Sequence, residues 1–129
     1  MSKMNRLGNA HNKYQNFDMY PRALSVCSAG MLRSPTAAWV LSNDPFNFNT
    51  RAVGASDEYA LMEVDDVHLE WADYVFFMEE KHHRVVSERF PSVLSAKKFF
   101  VLDVPDDFPY RHPELVKMIT DKVKGVLGI

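Results

Sequence analysis

At 129 residues the chain is long enough to enclose one hydrophobic core and too short for two. Apolar residues make up 47% and charged residues 25%, an ordinary globular composition, and a formal net charge of −2 gives no general attraction to nucleic acid or anionic membrane. No run approaches the ~18 apolar residues of a membrane span, and the polar start of the chain lacks the apolar core of a secretory signal. These features point to a cytoplasmic protein. The single cysteine, Cys27, excludes an internal disulfide and argues against a structural zinc site built on cysteine. It is either an inert core residue or a reactive thiol, and its neighbours decide which.

Residues 1–21 read as an irregular arm in which Tyr14, Phe17 and Tyr20 recur every three residues, and 22–129 as the domain. The arm is either a loosely docked terminus or a flap near the site. Ala23-Leu24-Ser25-Val26-Cys27 is a short apolar run of the kind that forms a buried strand. After a small-residue loop, Ser34 suits an N-cap and Pro35 the first position of a helix, which Asn43-Asp44-Pro45 ends. Phe46 to Val53 reads as a second strand stopped by Gly54, and Asp57 to Glu70 as a helix or helical turn with Leu61 and Val64 inward. Tyr74-Val75-Phe76-Phe77-Met78 is an uninterrupted apolar run, as a central parallel strand requires. Glu79 to Phe90 is predicted helical with Val85, Val86 and Phe90 inward, stopped by Pro91. Phe99 to Leu102 forms the fourth strand, Asp103 to Tyr110 a loop, and Pro113 to Leu127 a last helix with Leu115, Ile119, Val123 and Val126 at helical spacing. Strands alternating with helices imply a three-layer α/β fold, a parallel sheet between helical layers. Ligands of such sheets bind at the carboxyl ends of the strands. That rule puts Cys27 and the Asp103–Tyr110 loop on one rim.

The loop Cys27-Ser28-Ala29-Gly30-Met31-Leu32-Arg33-Ser34 joins a strand to a helix N-terminus. Such a loop turns backbone N–H groups toward one point, and the helix dipole adds positive charge. A tetrahedral dianion fits that cradle, and Arg33 offers a planar two-pronged clamp for its oxygens. The same field stabilises a thiolate at Cys27, to which the Ser34 hydroxyl can donate. Small side chains at Ser28, Ala29 and Gly30 let the backbone approach the ligand. By composition alone, Arg at this spacing followed by Ser or Thr arises beside roughly one cysteine in a hundred, so the pattern favours the reactive thiol. Attack on a phosphate monoester also needs an acid for the leaving oxygen. Asp103, Asp106 and Asp107 supply carboxylates on the same rim, unless the run is simply a solvated acidic turn before the last helix. Phe108 and Tyr110 are candidate walls for an aryl ester, or rim packing.

These residues carry a resemblance. Val26-Cys27 through Arg33-Ser34-Pro35 resembles the phosphate loop of the low-molecular-weight protein tyrosine phosphatases, Cys-X5-Arg-Ser. Asp103-Val104-Pro105-Asp106 is similar to that family's late Asp-Val-Pro-Asp-Pro-Tyr loop, and Trp71 to Met78 looks like its strand ending in Met. A shorter branch of predicted tyrosine phosphatases is similar at Arg33 to Ala37, Leu102 to Asp107 and His112-Pro113-Glu114-Leu115. The resemblance covers roughly residues 22–128. It implies a four-stranded sheet of order 2-1-3-4, Cys27 as nucleophile, Arg33 as transition-state clamp, Ser34 as donor to the thiolate, and residues 28–34 as the phosphate loop. Asp106 would be the general acid, with Asp103 in support, although Asp107 stands where the family has Pro and competes for the role. The implied substrate is a phosphorylated protein or a small phosphomonoester, with phosphotyrosine the family default.

Three departures stand out. Gly30 replaces a common Asn, and the stretch that would hold its Ser partner reads Ala52-Val53-Gly54, so both ends of that hydrogen bond are missing together. Leu32 replaces a second loop cysteine, leaving Cys27 without a disulfide partner against overoxidation. The connection from strand two to strand three is short. Two rival functions share the loop: an arsenate reductase drawing on an external thiol, and a non-catalytic phosphate-binding module. A metal enzyme built on His82-His83, Asp65-Asp66 or Asp106-Asp107 is disfavoured because adjacent residues point in different directions, so these groups read as exposed charge. Phosphocysteine chemistry needs neither metal nor cofactor.

Overall fold

The computed structural model describes residues 21–28, 33–56 and 63–129; the arm at 1–20, loop residues Ala29, Gly30, Met31 and Leu32, and residues 57–62 lie outside them. Four strands, β1 (Arg22–Cys27), β2 (Asn49–Gly54), β3 (Tyr74–Phe77) and β4 (Lys98–Val101), alternate with helices α1 (Arg33–Leu41), α2 (Asp66–Trp71), α3 (Glu80–Arg89), α4 (Pro91–Ser95) and α5 (Pro113–Leu127). The strands form one parallel sheet in the order β2-β1-β3-β4, the order that the resemblance implies.

The period-two alternation of a strand sorts the core into two layers. Ala23, Cys27 and Phe76 face one side, where they pack with Ala37, Val40 and Leu41 of α1 and Leu115, Ile119 and Val123 of α5. Leu24, Val26, Val75 and Phe77 face the other, against Leu69 of α2, Val86 of α3 and Leu94 of α4. Central β3 buries Val75, Phe76 and Phe77 completely, as a strand covered on both faces must. Among the described residues no helix is long and apolar enough to cross a membrane.

Several boundaries differ from the sequence expectations, each for a local reason. β2 begins at Asn49 rather than Phe46 because Asn47 adopts a left-handed backbone (φ 56°), which an extended strand cannot contain. Phe46 and Phe48 stay in the core as loop residues. The helix expected from Asp57 to Glu70 is confined, in its described part, to Asp66–Trp71. Asp65 caps it: its carboxylate accepts from the His68 N–H (2.9 Å) while His68 Nδ1 accepts from the Asp65 N–H (3.2 Å). Val64 is buried just ahead of that cap, and Leu61 lies outside the described residues. Ser34 is inside α1, not its N-cap, because its hydroxyl is engaged sideways with neighbouring strands. Val85 and Val126 are each 38% exposed; helix register turns Val86 and Val123 inward instead. Pro91 does end α3, but it also occupies the first turn of α4, a position where its missing N–H costs nothing.

Phe76 anchors the layer under β1 and stacks on Phe100 at 5.4 Å. Phe76→Ala should lower the unfolding free energy by about 3–5 kcal/mol, read as a shift of the urea midpoint with little change in slope. A loss below about 1 kcal/mol would place the core elsewhere.

Candidate active site

The carboxyl ends of β1, β3 and β4 deliver the site. Past the strand ends the ladder continues: Ala55 N–H donates to Cys27 O (2.7 Å), Ser56 N–H to Ser28 O (3.0 Å), Met78 N–H to Val26 O (2.9 Å) and Val104 N–H to Met78 O (2.7 Å). The segments carrying Cys27-Ser28, Glu79 and Asp106 therefore leave the sheet in fixed register beside the first turn of α1.

Cys27 is buried, with Sγ 3.2 Å from Ser34 Oγ. The same hydroxyl lies 3.3 Å from Val53 O and donates to it. A serine has one proton for these two acceptors. With a thiol, the S–H donates to Oγ and Oγ–H to the carbonyl; with a thiolate, the Oγ proton turns to sulfur. Ser34 can thus serve either protonation state without moving its heavy atoms.

Arg33 is only 3% exposed. A buried guanidinium must be met by acceptors. Nη1 donates to the Glu79 carboxylate and to Val104 O at 2.8 Å, while Nε faces Asp106 Oδ1 at 3.8 Å. The parallel Nε–Nη2 donors form the edge of a guanidinium that suits two oxygens of a phosphate, and here its Nε end faces Asp106. Burial pushes the Glu79 carboxyl up, but the hydrogen bond and charge of Arg33, helped by Lys81, outweigh it and hold Glu79 below the usual range.

His82, expected with His83 to be exposed charge, is 2% exposed. Its Nδ1 accepts from the Glu79 N–H (3.0 Å) and its Nε2 lies 3.0 Å from Ser28 Oγ. Burial first, and then the charges of Arg33 and Lys81, push its pKa down to about 4 against the opposing pull of Glu79 and Asp106. His83 is half-buried and stacks on Phe99 at 4.6 Å. The correction follows from helix geometry: His82 faces the loop because it lies three residues past Glu79, on the inner side of the first turn of α3. Among the described residues no group of three or more His, Cys, Asp or Glu is arranged to hold a metal ion.

Of the carboxylates in the loop after β4, Asp106 is the one brought to Arg33. All three are exposed, Asp106 at 61% of its side chain, and Asp103 marks the turn with a left-handed backbone (φ 60°). The loop is pinned to α1 by Arg111 N–H donating to Thr36 Oγ1 (3.0 Å). Phe108 is half-buried against the core, with its ring centroid 5.3 Å from that of His112; Tyr110 is exposed beside the Arg111 guanidinium. The structure therefore joins Cys27, Ser28, Arg33, Ser34 and Asp106, and adds Glu79 and His82, which sequence reasoning did not assign to the site.

This architecture is the fold of the low-molecular-weight protein tyrosine phosphatases. YwlE arginine phosphatase from Geobacillus stearothermophilus superposes with a TM-score of 0.62 at 23% identity, over 84% of this chain and 93% of that one. Wzb of Vibrio vulnificus, solved with benzylphosphonate, gives 0.65 at 16% identity, over 83% and 97%. SP-PTP, a low molecular weight protein tyrosine phosphatase of Streptococcus pyogenes, gives 0.66 at 14% identity, over 84% and 91%. No family model and no curated protein matches the sequence.

The His82 environment has a consequence for stability. Its folded pKa of about 4 lies below the ordinary 6.5, so between these values the unfolded chain binds a proton that the folded protein refuses. The contribution is complete above pH 6.5 and is lost progressively as pH falls toward 4. Unfolding free energies of wild type and His82→Gln across this window should show a steeper acid loss in wild type. Parallel curves would contradict the buried neutral ring.

Proposed function

We propose that the protein hydrolyses phosphate monoesters through a phosphocysteine intermediate on Cys27, with Asp106 as acid and then base. The observation that carries this reading is the run of contacts at one end of the sheet from Cys27 Sγ to Ser34 Oγ (3.2 Å), and from the adjoining Arg33 Nε to Asp106 Oδ1 (3.8 Å). A phosphate seated on the Nε–Nη2 edge of Arg33 has the thiolate on one side and the Asp106 carboxyl near the leaving oxygen. The thiolate attacks phosphorus, the P–O bond to the leaving group breaks, and the Asp106 proton passes to the departing oxygen. Water then attacks phosphorus and gives a proton to the Asp106 carboxylate. The P–S bond breaks, the electron pair returns to Cys27, and phosphate leaves. Arg33 holds the equatorial oxygens throughout, and the Ser34 hydroxyl supports the thiolate as it departs.

The substrate class we assign is protein phosphotyrosine. Tyrosine phosphatases recur among the structural neighbours, and the exposed Tyr110 ring offers a surface for an aryl group. The arginine phosphatases of the same fold make phosphoarginine the class against which to test it. The phosphorylated partner and a cytoplasmic location go together, since a lone catalytic thiol has to stay reduced.

With p-nitrophenyl phosphate, Cys27→Ser should abolish turnover. Asp106→Ala should lower kcat by roughly 10²–10⁴-fold, while Asp107→Ala should stay within a few-fold of wild type. Peptides carrying phosphotyrosine should be hydrolysed faster than those carrying phosphoarginine. A wild-type protein that binds phosphate but shows no Cys27-dependent turnover would overturn the reading in favour of a binding module.

A further inference from the structure

We infer that His82 is a positioning residue for the phosphate loop, holding Ser28 by a hydrogen bond from its Nε2–H, an inference that rests on the phosphatase reading above. Because Nδ1 accepts from the Glu79 N–H, the proton of the neutral ring sits on Nε2. The contact at 3.0 Å to Ser28 Oγ is then donated by His82 and accepted by Ser28. The Ser28 hydroxyl keeps its own proton for a second partner. Its main-chain carbonyl is meanwhile held by the Ser56 N–H at 3.0 Å, so the residue that follows the nucleophile is tied on two sides.

The same turn of α3 reaches the other end of the loop. Glu79 binds Arg33, and His82 binds Ser28. A single hydrogen-bonded helical turn, closed by the Glu79 N–H on His82 Nδ1, therefore holds both Ser28 and Arg33, one toward each end of the loop. Converging backbone donors stabilise a phosphoryl transition state only when their geometry is fixed in advance. Displacement on the order of 1 Å costs about a hundredfold in rate. The charged groups that face the ring are Arg33 of α1, Glu79 and Lys81 beside it at the start of α3, and Asp106 after β4. Their sum with burial keeps the ring neutral at physiological pH, and a second ring proton would point at the Glu79 N–H and break the turn.

A buried histidine that merely fills space would destabilise the protein when replaced, but its effect on rate would not depend on Ser28. A double-mutant cycle separates the two roles. In p-nitrophenyl phosphate hydrolysis, His82→Leu and Ser28→Ala should each lower kcat by about ten- to a hundredfold with KM moved less than about threefold. The double variant should be no slower than the slower single variant. His82→Gln, which keeps an amide donor, should recover part of the rate with Ser28 present and none with Ser28→Ala. Losses that multiply in the double variant would overturn the role. Should His82→Leu fail to fold, the ring nitrogens of the wild-type protein decide by NMR. A neutral ring protonated on Nε2, with an exchange-protected proton that Ser28→Ala exposes, supports the brace; the Nδ1–H tautomer overturns it. Absence of Cys27-dependent turnover would sink the phosphatase reading, whereas Cys27-dependent turnover with multiplying losses would sink the role of His82 alone.

Discussion

A guanidinium buried at the end of a parallel sheet has to be surrounded by acceptors, and the elements of this rim converge on Arg33 to supply them. The turn after β3 contributes the Glu79 carboxylate. The segment after β4 contributes the Val104 carbonyl and Asp106. Glu79 is the closer of the two carboxylates, and without it a nearly inaccessible positive charge would keep only the Val104 carbonyl and the exposed, 3.8 Å distant Asp106, at a cost of several kcal/mol. The position of Asp106 beside Arg33 goes with the solvation of that guanidinium. A charge that must be neutralised in the resting protein becomes, in the proposed reaction, a charge available to a phosphate.

Hydrogen-bond bookkeeping elsewhere in the site follows the same pattern. Ser34 has one proton between Cys27 and the Val53 carbonyl, so loss of the thiol proton can be met by rotating a hydroxyl. His82, kept neutral by burial and by nearby cations, has one donor and one acceptor, and both are used. Neither arrangement leaves a buried polar group unmatched. The described polar side chains of the rim are thus held by mutual hydrogen bonds, while the two apolar layers on either face of the sheet hold the strands in register beneath it.

Much of this was legible from the chain. The runs at Ala23–Cys27, broken only by the small Ser25, and at Tyr74–Met78 are apolar because both strands are covered on two faces, and α/β alternation then fixes which ends meet. Cys27, Arg33 and Asp106 could be placed on one rim by that logic. What stayed hidden depended on side-chain direction. The rule that ligands gather beyond strand ends applied to β3 as much as to β1 and β4, yet Glu79 and His82, directly after β3, read as the polar start of an amphipathic helix. Nothing in a Glu-Glu-Lys-His-His stretch says which members face inward; the pairing of Glu79 with His82 three residues later was the available signal. The Ser34 misplacement has a related cause, since a serine beside a proline reads as a cap unless a strand carbonyl and a thiol are known to be near.

Phosphatases of this fold act on chemically different phosphorylated residues, as the names of YwlE and SP-PTP indicate, so the reaction at the loop and the choice of ester are separate questions. The reaction is the central claim, and its intermediate is the direct evidence. Rapid acid quench of the wild-type protein during turnover of p-nitrophenyl phosphate, followed by peptide mass spectrometry, should find one phosphoryl group on the peptide containing Cys27. Turnover at full rate with no phosphorylated Cys27, or with the phosphoryl group on another residue, would contradict the account.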